Sequence, residues 1–129
     1  MSFCTVVNCM DGRVQLPVIE YLRKRLGVPY VDSVTEPGPV LSLATEPTGK
    51  VVESIMSRVA VSTGGHGSSV VSVVAHGDCG GNPADEETQR EQLLASVELL
   101  AERFPGVTVM GLWVDERWRV REVTNRPPD

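Results

Sequence analysis

Aromatic side chains are scarce in this chain, with two Phe, two Trp and two Tyr among 129 residues. So few rings leave no stacking platform for nucleic-acid bases. Positive charge is also in deficit. A net charge of -5 argues against nucleic-acid backbones and anionic membranes as partners, because both demand clustered Lys and Arg. The one dense basic run, Arg23-Lys24-Arg25, reads as a helix C-terminus complementing its own dipole. No apolar run approaches the length of a membrane span, and Met1 to Val7 lacks the basic-then-apolar layout of a signal peptide, so a cytoplasmic location is expected. Only three cysteines occur, an odd number that suits thiols or metal ligands better than a disulfide framework. Internal repeats, low-complexity tracts and interdomain linkers are absent.

Hydrophobic residues at 41% and charged residues at 22% describe a globular protein, and the length suits one domain spanning residues 1–129. Phe3 to Asn8 is a short Val-rich run before the Asp11-Gly12 turn signal and reads as a buried strand; Cys4 within it reads as a small core residue. A helix follows, with Pro17 in its first turn, Val18, Tyr21, Leu22 and Arg25 continuing it, and Gly27 ending it. Tyr30 to Val34 is a second strand, after which Glu36-Pro37-Gly38-Pro39 is expected as a loop. Val52, Ile55, Met56 and Val59 predict an amphipathic helix from about Thr48 to Ser62. Gly64 to Ser68 reads as a flexible connection and Val70 to Ala75 as a strand covered on both faces. Asn82 with Pro83 suggests a helix cap and first turn, followed by acidic residues at the positive end of the dipole and a buried stripe of Leu93, Val97, Leu100 and Phe104. Pro105-Gly106 ends that helix. Val107 to Val114 and Trp118 to Val123 are expected as the last two strands, with a loose tail from Thr124.

Strands alternating with helices predict an α/β fold: a mostly parallel sheet ordered 2-1-3-4, with a fifth antiparallel strand and helices on both faces. In that order the first and third strands are neighbours at the topological switch point, where ligands of open α/β sheets bind. Two clusters converge there, Cys9-Met10-Asp11-Gly12-Arg13 and His76-Gly77-Asp78-Cys79-Gly80-Gly81. Two thiolates, an imidazole and a carboxylate beside a guanidinium are the inventory of a zinc site that keeps one position free. The Gly80-Gly81-Asn82 turn is also expected to aim a helix N-terminus nearby. Asp78 is a candidate for orienting a metal ligand or for capping the turn, whereas His66, in a Gly-rich loop, is expected at the surface.

The Cys-x-Asp-x-Arg element at Cys9, Asp11 and Arg13, with the His-x-x-Cys-Gly element at His76, Cys79 and Gly80, resembles the β-class carbonic anhydrases. Gly111 to Asp115 is similar to that family's late strand and turn, so the resemblance runs from Cys4 to about Val123. It implies that Cys9, His76 and Cys79 bind Zn(2+), with water, hydroxide or substrate in the fourth position and Gly80 contacting substrate. It further implies that Asp11 accepts a hydrogen bond from the zinc-bound hydroxide while Arg13 holds the carboxylate off the metal. The implied reaction is reversible hydration of carbon dioxide to bicarbonate, and the implied assembly is a homodimer.

Some features depart from that family. Only eight residues precede Cys9, so a partner-embracing N-terminal helical arm and a pocket Gln upstream of the first motif are not expected. Thr35 to Pro39 also lacks the family's Arg-Asn-Ala-Gly segment. Alternatives therefore stay open: a hydrolase of carbonyl sulfide or carbon disulfide, or a non-catalytic zinc-binding protein in which Asp11 closes the site. Thiol-redox chemistry is disfavoured, because Cys9 and Cys79 form no Cys-x-x-Cys. So is phosphatase chemistry, because Cys9 to Arg13 offers few backbone N–H groups for a phosphate.

Overall fold

The computed structural model describes residues 1–129. Five strands, β1 (Phe3–Cys9), β2 (Tyr30–Glu36), β3 (Val70–His76), β4 (Thr108–Val114) and β5 (Val120–Arg126), form one sheet ordered β2-β1-β3-β4-β5. The β1–β2, β1–β3 and β3–β4 pairs are parallel and β4–β5 is antiparallel, as the alternation of elements predicts. Four helices cover the sheet: α1 (Gln15–Leu26), α2 (Pro39–Thr45), α3 (Lys50–Ala60) and α4 (Glu86–Arg103). None is long and apolar enough to cross a membrane.

Alternation along the strands divides the core in two. Cys4 and Val6 of β1 pack with Val18 and Leu22 of α1 on one face. Val7, Val71 and Val73 pack with Leu43, Ile55, Val59, Leu93 and Val97 from α2, α3 and α4 on the other. Burying a side chain such as Leu22 or Ile55 contributes about 2 kcal/mol. Helix α1 ends at Gly27, whose φ of 66° is the left-handed C-cap that favours glycine, and its last turn carries Arg23, Lys24 and Arg25 as expected.

Four local expectations are corrected. The segment after β2 is not all loop. Gly38 and Pro39 start α2 with proline at the first helical position, and the two-turn helix buries Val40 and Leu43. It is too short to show a periodic stripe. Helix α4 starts at Glu86 instead of Pro83, because Asp85 supplies the cap by accepting a 2.9 Å hydrogen bond from Thr88 N. The connection from Gly64 to Ser68 is not a slack tether: a π-type turn over Val61–Gly65 continues α3, and Ser68 is buried. Finally, β5 starts at Val120, leaving Trp118 in the hairpin turn, and Thr124 to Arg126 extends the strand where a loose tail was expected. Pairing with Val109, Met110 and Gly111 orders that segment.

Candidate metal centre

Chain direction places β1 and β3 so that Cys9 and His76 both end their strands at the same edge of the sheet. Cys79 follows on the turn after β3 and bridges to Asn82. The ligand atoms of Cys9, His76 and Cys79 lie within 4.8 Å of one another, and all three residues are buried. Their fit to zinc can be tested on two observations. Two sulfurs each about 2.3 Å from a tetrahedral ion lie about 3.8 Å apart; here the Sγ atoms of Cys9 and Cys79 are 3.7 Å apart. His76 Nδ1 donates to Gly77 O at 2.7 Å, which fixes the tautomer, and the buried Nε2 is left with no hydrogen-bond partner. A buried acceptor without a donor costs about 1–3 kcal/mol, and a metal beside the two thiols would relieve it. The residues fit zinc.

Asp11 lies outside this group of three because Arg13 holds it from two sides. Its Oδ1 accepts from the Arg13 backbone N–H at 2.9 Å and from Nε at 3.1 Å, and its Oδ2 accepts from Nη2 at 2.7 Å. These side-chain hydrogen bonds, with the backbone one, lower the Asp11 pKa to about 2. The same contacts push the guanidinium further above its already high value. At Cys79, burial pushes the thiol up, while the N–H groups of Gly81 and Asn82 favour the thiolate.

The loop that presents Cys9, Asp11 and Arg13 is pinned by two residues the motif reading missed. Asn8 is buried; its Oδ1 accepts from Cys9 N at 2.8 Å and its Nδ2 donates to Val14 O at 3.2 Å. Gln15 Nε2 donates to Cys9 O at 2.6 Å and to Asp11 O at 3.0 Å. A polar amide one residue before a candidate ligand was the available signal for Asn8. Gly38 and Gly81 were read only as loop and turn residues, and their close approach was missed. A Cβ at Gly81 would stand 2.5 Å from the Pro37 carbonyl carbon, and one at Gly38 would stand 2.8 Å from Asn82 Cβ. The loops after β2 and β3 therefore touch backbone to backbone.

Other candidates fall elsewhere. Asp78 orients Arg13 instead of a metal ligand, accepting from Nη1 through Oδ2 and from Nη2 through its carbonyl, both at 3.1 Å. Asn82 is not the cap of α4; it is buried and donates to Gln92 Oε1 at 2.8 Å. Gly80 is exposed on the wall of a cavity of about 500 Å³ shared with Asp11, Arg13, Cys79, Asn82 and Pro83. His66 belongs to the opposite end of the sheet, stacked on Phe3 at 4.1 Å and bonded to Asp32. Cys4 is fully buried in the core, and that burial, with the nearby Asp32 charge, raises its pKa to about 11.

Comparison with known proteins agrees with this arrangement. Residues 1–124 match the family described as "Putative carbonic anhydrase". No curated protein matches the sequence. Among solved structures, one of the tetrameric β-carbonic anhydrases of the filamentous ascomycete Sordaria macrospora aligns with a TM-score of 0.60 and 14% identity, over 97% of this chain and 83% of that one. The β-carbonic anhydrase CafA of the fungal pathogen Aspergillus fumigatus aligns with a TM-score of 0.52 and 15% identity, over 95% of this chain and 74% of that one. The chain belongs to the carbonic anhydrase family and has the β-carbonic anhydrase fold.

Proposed function

We propose that this protein is a zinc enzyme that reversibly hydrates carbon dioxide to bicarbonate. The observation that carries the reading is the buried, unpartnered His76 Nε2 beside two thiols while Arg13 holds the Asp11 carboxylate away. Cys9, His76 and Cys79 would hold the ion. Bound there, zinc supplies a Lewis acid that makes water a nucleophile near neutral pH.

The rest is done by the chain's own groups. Asp11, with its pKa near 2, is a carboxylate throughout the physiological range, so it accepts a hydrogen bond and orients the attacking water but cannot deliver a proton. Arg13 fixes that carboxylate and keeps it from becoming a fourth ligand. The non-catalytic reading, with Asp11 closing the site, would require breaking the contacts at 2.7, 2.9 and 3.1 Å first. Gly80 contributes backbone without a side chain to the cavity wall, leaving room for a small linear substrate. Carbon dioxide binds weakly to anything, so confinement beside the metal supplies most of the acceleration.

Stopped-flow hydration by fully zinc-loaded protein is the test. Catalysis is expected, and Cys9→Ser should return the rate to that of the uncatalysed reaction. Uncatalysed speed in the loaded wild type rejects the reading, and sulfide release from carbonyl sulfide or carbon disulfide in its place would reassign the substrate. Homodimerisation belongs to the same proposal. It is supported by the self-association of the Sordaria macrospora β-carbonic anhydrases, which are tetrameric, and light scattering that showed a monomer would remove it.

A further inference from the structure

Only two residues other than glycine have a positive φ, Asp78 at 52° and Trp118 at 61°. They lie on different loops, one between β3 and α4, the other in the β4–β5 hairpin. Both touch one guanidinium. Asp78 accepts two hydrogen bonds from Arg13, and Arg13 Cζ lies over the Trp118 ring, 4.9 Å from its centroid. A left-handed backbone is unfavourable for any residue with a Cβ, and most of all for a bulky one. Strain of this kind persists only where the surroundings fix it, and it gathers at functional sites.

The hairpin turn shows how Trp118 is fixed. Trp118 N donates to Asp115 O at 2.9 Å, and Asp115 Oδ1 accepts from Arg117 N at 2.9 Å and from Arg119 N at 3.0 Å. Asp115 therefore ties the turn from inside, at a position where hairpins of this type ordinarily place glycine. Glycine there would relax the backbone but would leave Arg13 without its stacking surface. Trp118 also walls a second cavity of about 360 Å³, which Arg13 and Asp78 share.

We propose that Trp118 is a positioning residue: from the β4–β5 hairpin it latches Arg13, and through Arg13 it keeps the Asp11 carboxylate off the Cys9–His76–Cys79 group, so that displacement of this hairpin is the step that closes the site. Asp78 is the second half of the latch. The role assigned to closure rests on the zinc reading above; the grip of Trp118 on Arg13 does not.

The test uses full-length protein and the variants Trp118→Gly and Trp118→Phe. Exchange of the Arg13 Nε–H with water, followed by NMR without metal, reads the latch alone. Losing a cation–π contact at a side chain this exposed should speed it about two- to fivefold in Trp118→Gly and leave it near wild type in Trp118→Phe. Trp118 also packs half-buried against the core beside α1, so the thermal midpoint of Trp118→Gly should fall, and rescue of the exchange rate by Trp118→Phe separates the latch from that packing. Thiocyanate titration of the cobalt(II)-substituted protein, read by visible absorption, then reports the vacant vertex. The dissociation constant should rise about two- to fivefold in Trp118→Gly and recover when Asp11→Asn is added. Arg13 exchange unchanged in a folded Trp118→Gly overturns the latch. Accelerated exchange with unaltered thiocyanate affinity overturns its control of closure. Wild type lacking thiolate-to-cobalt absorption counts against the zinc reading and against control of closure, and the exchange measurement still decides the latch.

Discussion

The same strands carry a polar cluster at each end, and the two are built on opposite rules. At the amino end, Thr5 of β1, Asp32 of β2 and Ser62, His66 and Ser68 form a closed network. Ser62 Oγ and His66 Nδ1 both reach Asp32 Oδ2, at 2.7 and 2.6 Å, and Thr5 Oγ1 lies 2.6 Å from Ser62 Oγ and 2.8 Å from Ser68 Oγ. Ser68 then donates to Val70 O at 3.0 Å. Four residues further along β1, about 13 Å away, Cys9 meets His76 and Cys79, and there a buried imidazole nitrogen has nothing to bond. Internal satisfaction marks a cluster as structural. A deficit at a buried imidazole with two thiols within 4.8 Å marks a cluster that awaits a metal.

Removing one group from each end gives the sharpest contrast. His76→Ala should weaken zinc binding more than about a hundredfold, since even outer partners of metal ligands are worth 10–100-fold. Ser62→Ala should leave zinc affinity within twofold yet cost about 1 kcal/mol of stability by removing the hydroxyl's bonds to Thr5 and Asp32, which keep Ser68 and His66 as partners. Competition with a chelator reads the first effect and urea unfolding the second. A Ser62→Ala protein that lost zinc while staying folded would break the comparison.

A substitution in the loops beside the metal centre should give a mixed outcome. Gly81→Ala drives a Cβ to 2.5 Å from Pro37, where backbone faces backbone and neither side can rotate away. The expected cost is about 1–3 kcal/mol, together with measurably weaker zinc binding, because Cys79 sits two residues earlier on the displaced turn. Urea unfolding and chelator competition on the same sample check both parts. Full stability would show that the loops after β2 and β3 can separate freely.

What was legible in the sequence follows the same division. Val-rich runs and the stripe Val52, Ile55, Met56 and Val59 announce their elements, because each pattern is local and repeats over several residues. Cys9, Asp11, Arg13, His76 and Cys79 are legible because metal ligation admits few residue types. Helix α2 is not, since two turns bury only Pro39, Val40 and Leu43, too few for a period. Nor are the partners of Asn8, Gln15 and Asp78, which depend on where a hydrogen-bonding group lands after folding. Trp118 reads as a strand residue by composition. Only its place in the turn fixed by Asp115 reveals a left-handed backbone.

The smallest expected effect comes from titrating the amino-end network. Burial alone would raise the Asp32 pKa, but hydrogen bonds from His66 and Ser62 outweigh it and the net shift is downward. A carboxyl whose folded pKa lies below its unfolded value, about 3.9, contributes stability above that value and loses it as pH falls through the folded one. Asp32→Asn should therefore be less stable than wild type on the plateau around pH 5, and the difference should shrink below about pH 4. With 28% of the Asp32 side chain exposed, solvent screening holds the plateau to about 1 kcal/mol. Urea titrations of zinc-free protein at successive pH values are the measurement, because acid also protonates Cys and His ligands and would release metal over an overlapping range. A difference that grew on acidification would mean that Asp32 is held as the neutral acid, and the amino-end network would then be short of a partner in the same sense as the metal centre.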